Sequence, residues 1–364
     1  TVRPPWTIDQ SAWVPLADAY AGLARGMGLE KVVLHIHLPS EAEESGTAGP
    51  GEPVLVDKIL TLEGLGGEGM SIRLDNPGPN PIRPLTAYAQ KVLTSARFGV
   101  PYPYEIVRML TPGPSDSSPF PRGAFVELDL GDDDELVPVV REPGKNTAHL
   151  IVGTLTSFTE VHPEGIRRVA ILSDPTQGLG NLAEPECRRI NAALALALRE
   201  RIPVEWYAVS SGALIAMDSG TENMDWIALT LRRLIEYTQA GGEVNIIVTG
   251  INVGGQPYWN AEATMLMHTK GILVMTPAST MVLTGKQALD FSGAVSADDN
   301  AGIGGYDRVM GPNGQAQYWA PSFPEACSLL LQHYDLTYVV PGERFPRRRP
   351  TSDPTDRDVR SAPH

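Results

Sequence analysis

The sequence predicts an α/β fold preceded by a smaller α+β region. From His149 onward, short apolar runs typical of buried strands alternate with helical patterns. Two of these runs are followed at once by turns rich in small residues. Residues 1–110 mix a helix, strands and loops without this alternation. We therefore expect the alternating part to form the main domain.

The N-terminal region has its own periodic patterns. Apolar residues from Trp13 to Met27 recur at helical spacing, and those from Val32 to Leu38 alternate as in a half-buried strand. Residues 39–53 are acidic and Gly/Pro-rich, which predicts a loop. A second helix is expected at Leu85–Ala96. Residues 111–145 hold many prolines and an acidic run, and are expected to connect the two lobes.

The main domain is expected at residues 146–341. Its predicted buried strands are Leu150–Leu155, Val169–Leu172, Trp206–Val209, Asn245–Thr249 and Ile272–Met275, with a last strand at Thr337–Val340. Its predicted helices are Glu186–Glu200, Asp225–Gln239 and Pro324–His333. Ser322 and Glu325 have the spacing of a capping box at the last helix. Residues 342–364 contain prolines and a basic cluster, and predict an arm or linker.

Composition narrows the class of protein. The 364 residues are 42% hydrophobic and 20% charged, which is ordinary for a soluble globular chain. A net charge of −14 argues against binding to nucleic acid or to an anionic membrane. The two cysteines, Cys187 and Cys327, cannot form a disulfide framework or a four-cysteine zinc site. We therefore expect a soluble cytoplasmic protein that binds no metal.

Two passages place small residues directly after a predicted strand. They are Glu205–Met217, EWYAVSSGALIAM, and Val244–Tyr258, VNIIVTGINVGGQPY. Backbone N–H groups at such a turn can point at one carbonyl oxygen, and glycine lets a ligand approach closely. These turns fit an oxyanion hole that stabilises an enolate. Taken alone, they fit an ordinary tight connection in an α/β domain better, because glycine-rich turns between strand and helix are common.

Other candidate sites are less well supported. Gly178–Ala183 has the glycines of a dinucleotide fingerprint, but five residues separate it from the preceding strand, so we interpret it as a loop. His35 and His37 share a strand face without a matching set of metal ligands. Ser210 and Ser211 do not lie in the motif of a serine hydrolase.

Three stretches follow one another in a definite order. Asn146–Thr176 leads through a PEG motif into a strand, Gly178–Met217 holds a glycine loop, a helix and SSGALIAM, and Thr249–Tyr258 holds the second glycine turn. The chain continues to GIGGY at Gly302–Tyr306. Together these stretches resemble the carboxyltransferase component of biotin-dependent acyl-CoA carboxylases, particularly the single-chain acetyl-CoA carboxylase type. Asn80–Leu110 resembles the end of the central region of those fused enzymes.

The resemblance implies a crotonase (ClpP-like) spiral of ββα units that covers the N-terminal half of a carboxyltransferase. Such an enzyme moves a carboxyl group from carboxybiotin to the α-carbon of an acyl-CoA. The resemblance implies catalytic backbone donors at Gly212, Ala213, Gly254 and Gly255. It implies substrate-binding positions at Gly180, Ser211, Gly304 and Gly305.

The resemblance also implies partners. Biotin would be carried on a separate domain or subunit, the biotin carboxyl carrier, and ATP would bind elsewhere in the full-length enzyme. A C-terminal carboxyltransferase half would complete the site in a homodimer or larger complex, within fatty acid biosynthesis. Two departures stand out: Leu214 replaces the arginine of the family's SGARIG motif, and Gln256–Tyr258 replaces small residues.

Two other functions remain open at this point. A crotonase-fold hydratase, isomerase or decarboxylase would use positioned carboxylates, for which Glu222 and Glu262 lie nearest in sequence. A non-catalytic scaffold would keep the fold and lose the pocket, as the substitutions at Leu214 and Gln256–Tyr258 would allow.

Overall fold

The computed structural model describes residues 31–39, 55–63, 71–78, 85–114, 117–265, 269–293 and 297–348, with isolated positions at 15 and between 352 and 360. The chain divides into two compact units, Thr1–Thr86 and Ala87–His364. Apart from Pro15, the helix predicted from Trp13 to Met27 lies outside the described residues. The loop predicted at 39–53 lies outside them too, except for Pro39, which is the last residue of a strand.

The first unit contains an antiparallel sheet in the order β1-β2-β3. Its strands are β1 (Lys31–Pro39), β2 (Leu55–Glu63) and β3 (Ser71–Asp75). The alternating apolar residues of β1, including Leu34 and Ile36, cluster with Leu60 and Leu62 of β2. The strand predicted from Val32 to Leu38 is therefore confirmed. Its apolar residues alternate because only one face of the strand packs on this cluster.

The second unit alternates helices and strands. Its elements are α1 (Ala87–Arg97), α2 (Pro103–Leu110), β4 (Gly123–Leu130), β5 (Leu136–Pro138), β6 (Leu150–Ser157), β7 (Ile166–Ser173), α3 (Glu184–Glu200), β8 (Val204–Ser210), α4 (Glu222–Gln239), β9 (Val244–Val253), α5 (Gly255–Met265), β10 (Leu273–Met275), β11 (Thr280–Val282), α6 (Lys286–Phe291), α7 (Asn300–Gly304), a π-helical turn (Tyr306–Met310), β12 (Tyr318–Trp319) and α8 (Phe323–Thr337). The predicted strands of residues 150–275 and the helices predicted within this unit are confirmed.

One mixed sheet organises this unit. Eight strands follow the order β12-β10-β9-β8-β7-β6-β4-β5, and β11 pairs with the end of β9. The strands from β7 to β9 run parallel, as do β10, β11 and β12 beside them. Strands β4, β5 and β6 run antiparallel at the other side. The parallel part therefore directs the carboxyl ends of β7, β8 and β9 to one edge.

Each face of the sheet carries its own apolar core. On β7, Val169 and Ile171 pack in the cluster that includes α3, α4 and α5, whereas Ala170 and Leu172 pack in the cluster that includes α2 and α8. This alternation with a period of two residues means that both faces of the strand are buried, as is expected of a parallel sheet covered by helices.

Two parts of the chain differ from the sequence-based prediction. Residues 111–145 were expected to connect two lobes, but they contribute β4 and β5 to the sheet. The two compact units divide at residues 86 and 87 rather than near 110, since α1 and α2 pack on the core of the second unit. The acidic and proline-rich composition concealed a strand whose pairing partner, β6, follows later in the chain.

The prediction of a strand at Thr337–Val340 was wrong. Helix α8 continues to Thr337, and residues 338–340 have no regular structure. The Tyr338 hydroxyl accepts a hydrogen bond from the Arg167 backbone at 3.2 Å, and its ring meets the buried His162 ring edge-on. The apolar character of this segment therefore reflects packing on the core rather than pairing in the sheet. The predicted helix N-cap is confirmed, since the Ser322 hydroxyl accepts from the Glu325 N–H.

A buried ion pair joins β7 to β8. The Arg168 Nε lies 2.7 Å from the Glu205 carboxylate, and neither side chain is more than 2% exposed. Arg168 also donates to the Ser157 hydroxyl, and the Tyr207 hydroxyl donates to Glu205. Burial by itself lowers the pKa of Arg168, but the Glu205 carboxylate raises it, so that the net shift is upward. The Arg168 guanidinium and the Glu205 carboxylate are therefore hydrogen-bonded to each other within the fold.

Replacing Arg168 by methionine is expected to lower the free energy of unfolding by about 3–5 kcal/mol, because the Glu205 charge stays buried without its partner. The matched control is Arg232→Met, which breaks an exposed pair with Glu236. That change is expected to have an effect of at most about 1 kcal/mol. Urea unfolding measures both values. Equal losses of stability would show that the buried pair contributes no more than the exposed one, which would contradict the prediction.

Candidate functional site

Three loops leave the same edge of the sheet. They follow the parallel strands β7, β8 and β9, and begin at Asp174, Ser211 and Gly254. In parallel α/β sheets, ligands bind outside the carboxyl ends of the strands. This edge is therefore the place where the sequence-predicted residues can be tested for proximity.

The first turn, residues 211–214, is held by the loop after β7. The Ser211 N–H donates to the Leu179 carbonyl at 3.0 Å, and the Ser211 hydroxyl donates to the Gly178 carbonyl at 2.7 Å. On the other side, the Leu182 N–H donates to the Gly212 carbonyl at 2.8 Å. The Ala213 N–H donates to no acceptor within the described residues. One backbone donor of this turn is therefore open to a ligand.

The second turn begins at Gly254, where φ is +65°. The Gly254 N–H donates to the Val282 carbonyl on β11 at 3.1 Å. Gly255 is the first residue of α5, and its N–H, like those of most helix N-termini, has no acceptor in the described parts of the chain. A second open donor therefore lies one residue past Gly254.

The two turns lie side by side. A Cβ atom built on Gly254 would be 3.6 Å from the Gly212 Cα, an ordinary van der Waals contact. The Trp259 indole is fully buried in the core, where its ring lies 5.7 Å from that of Trp206. The structure thus brings Gly212, Ala213, Gly254 and Gly255 together. Their role as donors to a substrate remains a prediction.

Gly180 has a structural reason to be glycine. Its φ is +65°, and a Cβ atom there would lie 2.4 Å from the Val209 carbonyl oxygen at the end of β8. The neighbouring Gly178 and Leu179 also have positive φ, so three consecutive residues adopt left-handed conformations. The loop can approach β8 this closely only because position 180 carries no side chain.

Gly304 and Gly305 lie beside this edge in a different way. A Cβ atom on Gly304 would be only 1.9 Å from the Met281 carbonyl oxygen of β11, so the glycine permits α7 to pack on that strand. The Gly305 N–H donates to the Ala301 carbonyl at 2.8 Å, and Gly305 lines a separate cavity of about 220 Å³ with Ser279 and Trp319. Substrate binding by these two glycines stays a prediction, and the observed contacts explain them through packing.

Exposed apolar side chains follow the same strand ends. Ile215 and Met217 come after β8, Tyr258 lies in the first turn of α5, and Leu283 follows β11 directly. Their exposed fractions are 83%, 105%, 56% and 62%, respectively. We call these four residues the apolar rim. Large exposed apolar groups that follow neighbouring strand ends are typical of an interaction surface.

The carboxylates considered for a hydratase have other partners. Glu222 is exposed and accepts from the Gly220 N–H at 2.9 Å. Glu262 is buried and accepts from the Thr238 hydroxyl at 2.8 Å. No observation places either carboxylate at the two turns, so nothing specific favours a hydratase.

The histidines of the first unit share an aspartate. His37 Nδ1 lies 2.6 Å and His35 Nε2 lies 3.5 Å from the carboxylate of Asp57 on the neighbouring strand. Over the described ranges, no group of three His, Cys, Asp or Glu side chains could hold a metal ion. None of the described helices is long and apolar enough to cross a membrane.

One buried residue at the candidate site, Asp174, was not predicted from the sequence. Asp174 directly follows β7 and is fully buried, and it accepts hydrogen bonds from Asn146, Thr176 and Gln177. Burial, followed by the charge of this carboxylate, raises the pKa of the nearby Tyr102. An acidic residue immediately after an apolar strand was the signal that could have identified it.

Two curated relatives match part of the chain. An acetyl-CoA carboxylase of Cryptosporiopsis sp. (strain 8999) is 33% identical over 93 residues, and the acetyl-CoA carboxylase of Saccharomyces cerevisiae is 32% identical over 95 residues. Each match covers 26% of this chain and 4% of the relative. The chain therefore spans a small fraction of the length of these relatives. No protein-family model matches it.

The fold has a solved counterpart. The beta subunit of geranyl-CoA carboxylase from P. aeruginosa is similar with a TM-score of 0.51 and 16% identity, over 68% of this chain and 41% of that subunit. This likeness confirms the predicted crotonase-like α/β class. Together with the acetyl-CoA carboxylase matches, it confirms the predicted resemblance to a carboxyltransferase domain.

Gly180→Ala is expected to destabilise the protein more than Gly314→Ala. Both glycines have positive φ, but a Cβ atom at Gly314 meets nothing within 4 Å, whereas one at Gly180 meets the Val209 carbonyl. The common φ strain is about 1–2 kcal/mol, and the steric overlap at Gly180 should add roughly 1–3 kcal/mol. Urea unfolding gives the difference. If the two variants lose the same stability, the loop does not depend on close approach to β8.

Proposed function

We propose that this chain is the acyl-CoA-binding half of a biotin-dependent carboxyltransferase. The observation that carries the proposal is the pair of open backbone donors, the Ala213 and Gly255 N–H groups, on two turns in direct contact. Two N–H groups on neighbouring turns at one edge of a sheet suit the oxygen of a thioester that becomes an enolate. The resemblance to acyl-CoA carboxylases supports the same reading.

The proposed chemistry uses backbone rather than side-chain groups. When a base removes a proton from the α-carbon of the acyl group, negative charge develops on the thioester oxygen. Donors that are already oriented stabilise this charge without reorganisation, and each contributes about 3–4 kcal/mol. Carboxybiotin, delivered by a carrier domain, would supply the carboxyl group to the α-carbon. The ureido nitrogen of biotin, left without its carboxyl group, would be the base that takes up the α-proton.

The apolar rim is an argument that a second polypeptide covers the site. Ile215 and Met217 are too exposed to contribute to the core of this chain. A C-terminal carboxyltransferase half, from the same or a second subunit, would cover them and exclude water from the enolate. Leu214 and Tyr258 would then border the acyl group, where the resemblance leads one to expect an arginine and a small residue.

The relatives, rather than the pocket, indicate which substrate to test first. Acetyl-CoA is the first substrate to test, because the two matching enzymes are acetyl-CoA carboxylases. In this role the chain would act in fatty acid biosynthesis in the cytoplasm, within an assembly that also holds the biotin carrier.

Reconstitution tests the proposal. Malonyl-CoA-dependent carboxylation of free biotin should occur when this chain is combined with a C-terminal carboxyltransferase half, and not with either polypeptide alone. Hydration of crotonyl-CoA by the chain would indicate a hydratase instead. If isothermal titration detects no binding of acetyl-CoA to the assembly, the chain is a scaffold and the proposal is wrong.

Gly255→Pro should slow carboxyl transfer far more than Gly255→Ala in the reconstituted assembly. Both changes add a Cβ atom, which meets the Ile227 Cγ2 at 2.6 Å, so both are made with Ile227→Ala. Only proline removes the N–H, and it is well tolerated at the first position of a helix. The loss of one donor is expected to reduce the rate by about 100- to 1000-fold. Equal rates would exclude the Gly255 N–H from the oxyanion hole.

A further inference from the structure

Asp174 is a buried carboxylate surrounded by neutral donors. One oxygen accepts from the Asn146 Nδ2 at 2.9 Å and from the Gln177 Nε2 at 3.0 Å. The other accepts from the Thr176 N–H at 2.9 Å and from the Thr176 hydroxyl at 2.6 Å. Its side chain has no cationic partner among the residues that the structure describes. A charge buried in this way needs every one of its hydrogen bonds.

These bonds act on the loop that leaves β7. Thr176 and Gln177 belong to this loop, and Asn146 comes from the segment before β6. The carboxylate therefore ties the start of the loop to the segment that leads into β6. Residues 178–180 follow with φ values of 54°, 53° and 65°. Leu179 is strained in this conformation, so the surrounding structure must hold it there.

The same loop is hydrogen-bonded to the first turn of the candidate site, residues 211–214. Its carbonyl groups at Gly178 and Leu179 accept from Ser211, and Leu182 exchanges two hydrogen bonds with the Gly212–Leu214 segment. In the latter pair, the Leu182 N–H donates to Gly212 and the Leu214 N–H donates to Leu182, both at 2.8 Å. The peptide that carries the open Ala213 N–H is therefore clamped on both sides by the loop.

We propose that Asp174 is a positioning residue that orients the Ala213 N–H through the loop of residues 175–182. The carboxylate holds Thr176 and Gln177, these residues hold the left-handed segment at 178–180, and that segment holds the 211–214 turn. The inference that Asp174 orients the 211–214 turn depends only on these contacts. The effect on acyl-CoA binding rests on the proposed function.

The shape of aspartate is not sufficient for this role. An asparagine has nearly the same volume, but it replaces one acceptor oxygen by an NH₂ group. That group would face two existing donors, whichever way the amide is turned. Asp174→Asn therefore removes the acceptor and keeps the packing, which separates hydrogen bonding from side-chain volume.

Hydrogen exchange at the turn is the direct test. In Asp174→Asn, the amides of Ser211 and Leu214 should exchange about tenfold faster or more, because unmet buried donors loosen the loop that accepts from them. Strands β4 and β6 should keep their protection. The matched control is Asp129→Asn on β4, which removes a carboxylate with arginine partners and leaves the loop intact. It should not change exchange at residues 211–214.

Binding of acetyl-CoA to the reconstituted assembly is the second readout. The dissociation constant should rise about tenfold in Asp174→Asn, and it should stay within about twofold of the unmodified protein in Asp129→Asn. If the unmodified assembly does not bind acetyl-CoA, the proposed function fails. The exchange measurement on its own still decides whether Asp174 positions the turn.

Thr176→Val is a milder variant that tests the same contact in case Asp174→Asn does not fold. It removes only one hydroxyl donor from the Asp174 carboxylate. It should therefore accelerate exchange at Ser211 and Leu214 in the same direction, by about threefold. The proposal is overturned if either variant leaves exchange at these two amides unchanged, or raises exchange equally over the whole sheet.

Discussion

Close approach between backbones at the strand ends is the constraint on which the candidate site depends. Gly180 lies against the Val209 carbonyl, Gly304 against the Met281 carbonyl, and Gly254 beside Gly212. At the first two positions, a methyl group would overlap with backbone atoms that cannot rotate away. Because the main chains meet directly, backbone N–H groups lie at the edge where β7, β8 and β9 end.

A rigid support keeps these backbone groups in place. Apolar residues cover both faces of β7, so the strand cannot shift without exposing one of two cores. Near one end of β7, Arg168 and Glu205 form a buried ion pair. Immediately after the other end of β7, the Asp174 carboxylate accepts hydrogen bonds from the loop and from the segment before β6. Donors held in advance stabilise a developing charge better than donors that must be reoriented. The buried polar groups therefore support the geometry of the edge as well as the fold.

Much of the fold could be predicted because its signals are local. Apolar runs between polar turns located the parallel strands, and the Ser322–Glu325 spacing located the start of α8. The antiparallel strands β4 and β5 were missed, because prolines and acidic residues conceal a strand that is completed by pairing with β6. The apolar segment at 338–340 was misassigned for the opposite reason, since its hydrophobicity serves packing around Tyr338 and His162.

The sequence by itself determined the apolar pattern of the predicted strands between residues 150 and 275, the positions of the glycine turns, and the resemblance to a carboxyltransferase domain. Each of these depends on residues that are neighbours in the chain or on the order of short motifs. Only the tertiary structure decided that the loop after β7 grips the turn after β8, and that Asp174 anchors this loop. The bonds between loop and turn join residues about thirty positions apart, for example Gly178 and Ser211. Such contacts form only after parallel strands have aligned their ends, so no local pattern records them.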